Sequence, residues 1–179
     1  MKLRHLFFAC SGVFVMMFSL LLLVVIVFSD EEDGGSGGNL IYGGVSVSQE
    51  VLAHKPMLEK YAREYGIEEY LNVLLAIIQV ESGGTLEDVM QSSESLGLPP
   101  NSLSTEESIK QGCKYFSELL AAAETKGCDL NSVIQSYNYG GGFLDYVAGR
   151  GKKYTFELAE SFARDKSGGK KVTYTNPIA

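Results

Sequence analysis

The longest apolar stretch of the chain lies near its N-terminus. Residues 6–28 carry no charged side chain, and only Cys10, Ser11, Gly12 and Ser19 interrupt the run. A helix needs about 20 mostly apolar residues to span a bilayer, whereas the apolar part of a cleaved signal peptide has about 7–15. The pattern therefore predicts one transmembrane helix that acts as an uncleaved signal anchor.

Charge differs on the two sides of this stretch. Lys2 and Arg4 precede it, and residues 30–33 are all acidic. Basic flanks tend to stay in the cytoplasm. We therefore expect residues 1–5 to be cytoplasmic, residues 6–28 to cross the cell membrane once, and the rest of the chain to lie on the extracytoplasmic, cell-wall side.

Beyond the apolar stretch, composition divides the chain into three parts. Residues 29–44 are acidic and then rich in Gly and Ser, which is typical of a flexible linker. Residues 45–164 hold helical patterns separated by polar breaks, and their length suits one domain. Residues 165–179 are polar, and we expect a C-terminal tail there.

Start and stop signals for helices recur through residues 45–164. The five predicted helices run from the capping box of Ser46 and Gln49 to Gly66, from Glu68 to Glu81, from the capping box of Ser104 and Glu107 to Thr125, from a cap at Asp129 or Asn131 to Tyr139, and from the cap Thr155 to Arg164. Strict alternation of apolar and polar residues occurs only at 45–48, which is too short to carry a sheet.

The second predicted helix has almost no polar face. Its apolar residues are Leu71, Val73, Leu74, Leu75, Ala76, Ile77, Ile78 and Val80. A helix that is apolar all round is a buried helix. The sequence therefore predicts an all-α fold, in which a small helical domain surrounds this buried central helix.

Glu81 is the last residue of that helix, ahead of Ser82 and the paired glycines Gly83 and Gly84. Burial and the negative end of the helix dipole both disfavour a charged carboxylate, so both raise its pKa. A carboxyl group that keeps its proton near neutral pH can act as a general acid. The alternative is an ordinary exposed glutamate at a helix end.

Two polar segments follow Glu81 in the chain. The first contains Gln91, Ser92 and Ser93, whose side chains can hydrogen-bond sugar hydroxyl and acetamido groups. The second contains Tyr137 and Asn138 before three glycines. Turns and helix stops use the same residue types, so chemistry alone leaves both interpretations open.

Taken together, three motifs resemble a known family. Residues 81–84 read ESGG, residues 90–95 read MQSSES and residues 135–140 read QSYNYG. In this order and spacing they resemble the lysozyme-like muramidase domain of bifunctional cell-wall hydrolases, a branch of the lytic transglycosylase and goose-type lysozyme superfamily. The resemblance covers about residues 47–164. The bifunctional relatives also carry a peptidase domain, which we expect this chain to lack.

The resemblance implies cleavage of the β-1,4 bond between N-acetylmuramic acid and N-acetylglucosamine in peptidoglycan, without a cofactor. Glu81 matches the catalytic glutamate of the superfamily. The candidate substrate-binding residues are Ser82, Gln91, Ser92, Ser93, Glu94, Tyr137 and Asn138. The sequence departs from the transglycosylase motifs at residues 88–89 and 135–136, which limits any detailed transfer of transglycosylase subsite contacts.

Hydrolysis and lytic cleavage need different numbers of carboxylates. Glycoside hydrolases usually employ two carboxylates. The lytic transglycosylases that the motifs resemble need one, which deprotonates the muramic acid C6 hydroxyl so that this oxygen attacks C1 and forms a 1,6-anhydro product. The candidates for a second carboxylate are Glu87, Asp88, Glu94 and Asp145, and Glu94 is the best placed because it lies within the second motif. The sequence leaves the two reactions open.

Composition and charge narrow the function classes. The chain has 179 residues, is 45% hydrophobic and 21% charged, and has a net charge of −7, so it is neither disordered nor suited to nucleic acid. Residues 39–149 hold 15 acidic and 6 basic residues, whereas residues 150–171 hold 7 basic and 3 acidic ones. The basic end is either a solvated surface or one that is attracted to an anionic cell-wall polymer.

Cysteine and histidine usage argues against a metal centre. Cys113 and Cys128 are predicted to be free, buried thiols, because Cys113 lies mid-helix and a bridge to Cys128 would have to fold back over about 16 Å. His5 and His54 are the only histidines, and none has a partner at metal-ligand spacing.

Two non-catalytic functions compete with glycan cleavage. One is a module that binds peptidoglycan strands without cutting them. The other is an adaptor that recruits cell-division or secretion and conjugation machinery. Glu81 at the end of a buried helix favours cleavage over the binding module, since a pure binding module does not need a general acid. An adaptor would be marked by apolar surface outside the groove, which the sequence does not reveal.

Overall fold

A computed structural model of the protein describes residues 40–42 and 45–168. The predicted cytoplasmic N-terminus, the transmembrane helix over 6–28 and most of the linker and tail lie outside the described residues. Within the described ranges, no helix combines the length and the hydropathy needed to cross a bilayer.

The described residues are mostly helical, which confirms the predicted all-α class. The elements are β1 (Leu40–Tyr42), β2 (Val45–Val47), α1 (Gln49–Ala53), α2 (Lys55–Glu64), α3 (Leu71–Glu81), α4 (Thr105–Lys126), α5 (Leu130–Tyr139), α6 (Gly142–Ala148) and α7 (Phe156–Lys166). Short 3₁₀ helices at Glu68–Tyr70 and Ser93–Leu96 precede α3 and α4, respectively.

The two short strands form an antiparallel hairpin in which Leu40 lies opposite Val47. The alternation at residues 45–48 was expected to be too short for a sheet, and β1 lies within the range assigned to the linker. A two-stranded ribbon needs only a few residues on each side. Its partner strand supplies backbone hydrogen bonds that the alternation pattern of one strand does not reveal.

The first predicted helix is two helices, and its predicted capping box is wrong. Ser48 caps α1, because its Oγ accepts a hydrogen bond of 3.3 Å from the Val51 N–H. The chain then breaks at His54, and α2 has Pro56 in its first turn. Proline lacks an N–H and disfavours helical geometry in the residue before it, so a new helix starts here instead of the old one continuing.

The later helix starts agree with the sequence. The capping box of Ser104 and Glu107 opens α4, Asp129 caps α5 and Thr155 caps α7. The helix α6 was not predicted, since its three neighbouring glycines indicate a stop. In the structure the chain resumes a helix directly at Gly142.

Helix α3 is the central element, as its sequence predicts. Its residues from Val73 to Ile78 are all buried. They share one apolar cluster with side chains from α1, α2, α4 and α5, including Val51, Leu58, Ile109, Phe116 and Ile134. This packing fixes the C-terminal end of α3, and therefore Glu81, between the surrounding elements.

A second, smaller apolar cluster joins α6 and α7. Its buried members are Phe143, Val147, Ala159 and Phe162. Tyr139, the last residue of α5, stacks on Phe162 with ring centroids 5.7 Å apart. The end of α5 therefore stands between the main core and this second cluster.

Candidate active site

A cavity of about 330 Å³ opens at the C-terminal end of α3. The residues that line it come from α3, from the loop of residues 88–96, from α4 and from the end of α5. They are Glu81, Gln91, Ser92, Glu94, Ser95, Tyr115, Tyr137, Asn138, Tyr139 and Gly140. Carboxyl, amide, hydroxyl and aromatic groups thus face the same space.

Glu81 is half-buried at the end of α3. Burial raises the pKa of its carboxyl group to about 8, and the nearby carboxylates of Glu94 and Asp88 contribute to the same direction. The upward shift expected from the sequence is confirmed. The sequence-based expectation named burial and the helix dipole as causes; burial is the main cause, and the charges of Glu94 and Asp88 add to it. Glu81 therefore holds its proton at neutral pH.

Ser82 and the glycines after it fix the end of α3. The Ser82 Oγ donates to the Val89 carbonyl at 2.7 Å and accepts from the Gly84 N–H at 3.0 Å. Gly84 has φ +78°, and a Cβ there would lie 2.7 Å from the backbone of Glu50 in α1. Ser82 does not line the cavity, so its contacts hold the chain around Glu81 in place.

The 88–96 loop is organised around the buried carboxylate of Asp88. This side chain accepts from the Ser92 N–H at 3.0 Å and the Ser93 N–H at 3.3 Å, and from the Ser108 Oγ of α4 at 2.5 Å. The Ser92 Oγ in turn donates to the Ser108 carbonyl at 2.9 Å. Helix α4 therefore supports the part of the loop that lines the cavity.

Gln91 adopts a left-handed backbone conformation with φ +46°. Its Nε2 donates to the Asp88 carbonyl at 2.8 Å and to Asn101 Oδ1 at 2.7 Å. Residues other than glycine, asparagine and aspartate are uncommon in this conformation. The amide group of Gln91 is therefore held at the edge of the cavity by contacts on both sides.

Tyr137 joins α5 to the loop beneath the cavity. Its Oη donates to the Met90 carbonyl at 3.0 Å, and its ring lies 5.5 Å from that of Tyr115. Gly112 of α4 makes this approach feasible, because a Cβ there would lie 2.5 Å from the Met90 Sδ and 2.9 Å from the Tyr137 Oη. Tyr137 is nearly buried and contributes one edge to the cavity.

Most of the residues singled out in the sequence come together here. Those that line the cavity are Glu81, Gln91, Ser92, Glu94, Tyr137 and Asn138. Ser82 and Ser93 stand outside it, and Ser93 is fully buried. Of the candidates for a second carboxylate, Glu94 lines the cavity, whereas Asp88 is fully buried and does not line it.

The other two candidates lie elsewhere: Glu87 is exposed, and Asp145 pairs with Lys126 at 3.1 Å. Sequence reasoning missed four lining residues, namely Ser95, Tyr115, Tyr139 and Gly140. Three of them lie inside the recognised motifs, Ser95 in residues 90–95 and Tyr139 and Gly140 in residues 135–140, but were not singled out as site residues. Tyr115 lies in the middle of α4, where no local signal marks it.

The described residues contain no group of three or more His, Cys, Asp or Glu side chains arranged to hold a metal ion. Cys113 and Cys128 are both free, as predicted. Cys113 is buried, and burial raises the pKa of its thiol to about 12. Cys128 is only partly buried, which corrects the expectation of two buried thiols.

The sequence of this chain is similar to a known family and to several known proteins. The family model described as Lysozyme-like matches residues 48–179. The bifunctional muramidase/DL-endopeptidase CwlT of Bacillus subtilis (strain 168) is 44% identical over 124 residues, which are 69% of this chain and 37% of that protein. The uncharacterized membrane protein YocA of the same organism is 38% identical over 121 residues, 67% of this chain and 54% of that protein.

A solved structure is also similar. It is the crystal structure of a protein described as similar to a lipoprotein of the NLP/P60 family, from Staphylococcus aureus subsp. aureus Mu50. The TM-score is 0.72 at 74% sequence identity, and the match covers 74% of this chain and 45% of that one. The chain therefore spans about half or less of the length of each of these three proteins.

Proposed function

The chain belongs to the lysozyme-like family, and from that membership we propose that it cleaves peptidoglycan glycan strands, with Glu81 as the general acid. The bond cleaved is the β-1,4 linkage between N-acetylmuramic acid and N-acetylglucosamine. The name of CwlT, a muramidase, supports this substrate class.

The protonated carboxyl group of Glu81 carries this proposal. With a pKa of about 8, it can donate a proton at neutral pH to the oxygen of the scissile bond. It stands in a cavity that presents polar and aromatic side chains, the combination that binds sugars through hydrogen bonds and flat apolar contacts. Proton donation makes the sugar a better leaving group and leaves Glu81 as a carboxylate that can act as a base.

Glu94 lines the same cavity and is the candidate second carboxylate, which would influence whether the product is hydrolysed or is a 1,6-anhydro sugar. A second carboxylate can stabilise the positive charge that develops at the sugar C1 or activate a water molecule. If water attacks, the released muropeptides have reducing ends. If the muramic acid C6 hydroxyl attacks, they have 1,6-anhydro ends. Mass spectrometry of the released muropeptides from wild type and Glu94→Gln distinguishes these two routes.

The remaining lining residues suit substrate positioning. Tyr115 and Tyr139 offer aromatic edges or faces at the cavity, Asn138 offers an amide group, and Gln91 offers its amide oxygen, since its two N–H groups already donate within the protein. We assign Tyr137 a mixed role, because it both contacts the cavity and carries the Met90 hydrogen bond.

Glu81→Gln tests the general acid directly. This change keeps the size of the side chain and removes the transferable proton, so release of muropeptides from purified peptidoglycan should fall by a factor of about 100 or more. Glu87→Gln is the matched control, since Glu87 is an exposed carboxylate six residues further along the chain, and it should turn over like wild type.

Two outcomes would contradict the proposal. Turnover of Glu81→Gln close to that of wild type would remove Glu81 from the mechanism. Wild-type protein that sediments with peptidoglycan and releases nothing from it would instead identify a glycan-binding module.

We also propose that residues 6–28 anchor the domain in the cell membrane, with the cavity on the cell-wall side. The apolar length and charged flanks of that stretch support the anchor, and the relative YocA is named a membrane protein. In this arrangement the partner polymer is peptidoglycan, and cell-division or secretion and conjugation machinery are the candidate protein partners. Protease treatment of intact wall-stripped cells should digest the domain and spare residues 1–5.

A further inference from the structure

We propose that Asp88 is a positioning residue for the Glu81 site: its buried carboxylate clamps the 88–96 loop against α4 and so sets where Gln91 and Glu94 stand around the cavity. The inference deepens the proposed function and rests on it. Asp88 itself does not line the cavity, so its effect on substrate is indirect.

The Asp88 side chain is a buried acceptor of three hydrogen bonds. The side chain is 0% exposed. Two backbone N–H groups of the loop and the Ser108 hydroxyl all donate to it. An ionised carboxylate is an acceptor only, so three donors and no acceptor match its charged form. Among residues 45–168, no lysine or arginine forms a salt bridge with it.

Ser108 extends the clamp from the loop into helix α4 and onward to α5. Its Oγ accepts from the Met90 N–H at 3.0 Å while it donates to Asp88, and its carbonyl accepts from the Ser92 Oγ. The Met90 carbonyl then accepts from the Tyr137 Oη. One continuous hydrogen-bond network therefore ties the loop to α4 and α5, two of the three helices that border the cavity.

The charge of Asp88 also reaches Glu81. Burial is the main reason that the Glu81 pKa is raised, followed by Glu94 and then Asp88. The titratable groups around Glu81 are thus Glu94 and Asp88 from the loop, Tyr137 from α5 and Tyr115 from α4. Burial raises the pKa of both tyrosines, that of Tyr137 well above its usual value. Removing the Asp88 charge should lower the Glu81 pKa, and with it the pH above which activity is lost.

Asp88→Asn tests this inference, with Asp129→Asn as the matched control. Asp129 also accepts from a backbone N–H and a serine hydroxyl, those of Ser132, but caps α5 away from the cavity lining. We expect Asp88→Asn to lower kcat/KM and to move the alkaline limb of the kcat/KM profile to lower pH, because the Asp88 charge raises the Glu81 pKa. Asp129→Asn should lose stability and leave that limb in place.

The Glu81 carboxyl can also be followed without activity. In protein labelled with ¹³C at glutamate carboxyl groups, the Glu81 signal is identified by its loss in Glu81→Gln and is titrated in each variant. A downward shift in Asp88→Asn alone supports the inference, and equal titration in both aspartate variants overturns it. If wild type releases no muropeptides, the proposed function fails while this titration still tests Asp88.

A second pair of variants covers the case in which Asp88→Asn does not fold. Ser108→Ala removes the donor to Asp88 and the acceptor for Met90, whereas Ser132→Ala removes the equivalent donor to Asp129. We expect Ser108→Ala to lower kcat/KM about tenfold, the effect of a misplaced loop. Ser132→Ala should keep wild-type kcat/KM, and equal values for the two variants would overturn the inference.

Discussion

At the scale of the residue, Glu81 combines a proposed catalytic advantage with a cost to folding. Its pKa is about 8 in the fold against an ordinary value of 4.5. Between these two pH values the folded state binds a proton that the unfolded state has released. The free energy of unfolding therefore falls as pH rises from 4.5 to about 8, by at most about 1.4 kcal/mol per pH unit.

Glu81→Gln should therefore stabilise the protein in a pH-dependent way. The variant has no carboxyl proton to lose, so its advantage over wild type should be small near pH 4.5 and grow toward pH 8. Urea unfolding of both proteins at several pH values measures this difference. Glu87→Gln, which changes an exposed carboxylate, should match wild type throughout. A constant difference between Glu81→Gln and wild type would show that the pKa of Glu81 is unchanged by folding.

At the scale of the element, helix α4 shapes the cavity through a residue without a side chain. Gly112 lies in the middle of the helix, and Met90 and Tyr137 pack directly over it. Met90 is itself fully buried, so it has little room to move aside. The close packing of α4, the loop and α5 thus depends on the absence of a single Cβ atom.

Gly112→Ala should for this reason destabilise the protein, although alanine is favoured over glycine in a helix interior by about 1 kcal/mol. The added methyl group would overlap Met90 and the hydroxyl of Tyr137, so overpacking should cost about 1–3 kcal/mol. It should also reduce turnover by displacing Met90. Gly142→Ala is the control, because a Cβ in α6 would meet open space and should be neutral or stabilising. Thermal unfolding of both variants decides the sign.

At the scale of the whole molecule, the described domain has two apolar clusters of unequal size. The main one surrounds α3, whereas the smaller one holds α7 against α6 through Phe143 and Phe162, whose ring centroids are 5.3 Å apart. Regions with few buried contacts open locally before the whole fold does. We therefore expect α7, which is held by the smaller cluster, to open locally at a lower free energy than the helices of the main cluster.

Native-state hydrogen exchange should reveal this order. Amides of α7 should exchange through local opening, with a free energy below that of α3, whose buried residues should exchange only on global unfolding. Phe162→Ala should speed exchange in α7 and leave exchange in α3 nearly unchanged. Equal opening free energies in the two helices would instead indicate one cooperative unit that includes both clusters.

The sequence by itself determined the features that are local in the chain. It identified the caps at Ser104 and Thr155 and narrowed the cap of α5 to Asp129 or Asn131, because a capping side chain bonds within one turn of its own helix. It also identified α3 as the buried centre and Glu81 as its last residue, because a helix without a polar face has to be covered on all sides.

Only the tertiary structure decided the features that depend on contacts between residues distant in the chain. Tyr115 lines the cavity from α4, and Asp88 accepts three hydrogen bonds without lining it. Gly112 leaves the space that Met90 and Tyr137 occupy. None of these roles has a signal in the neighbouring sequence, because each depends on the distance and orientation between separate elements. Those are fixed by how side chains pack in the core, and packing is a property of the assembled helices rather than of any one segment.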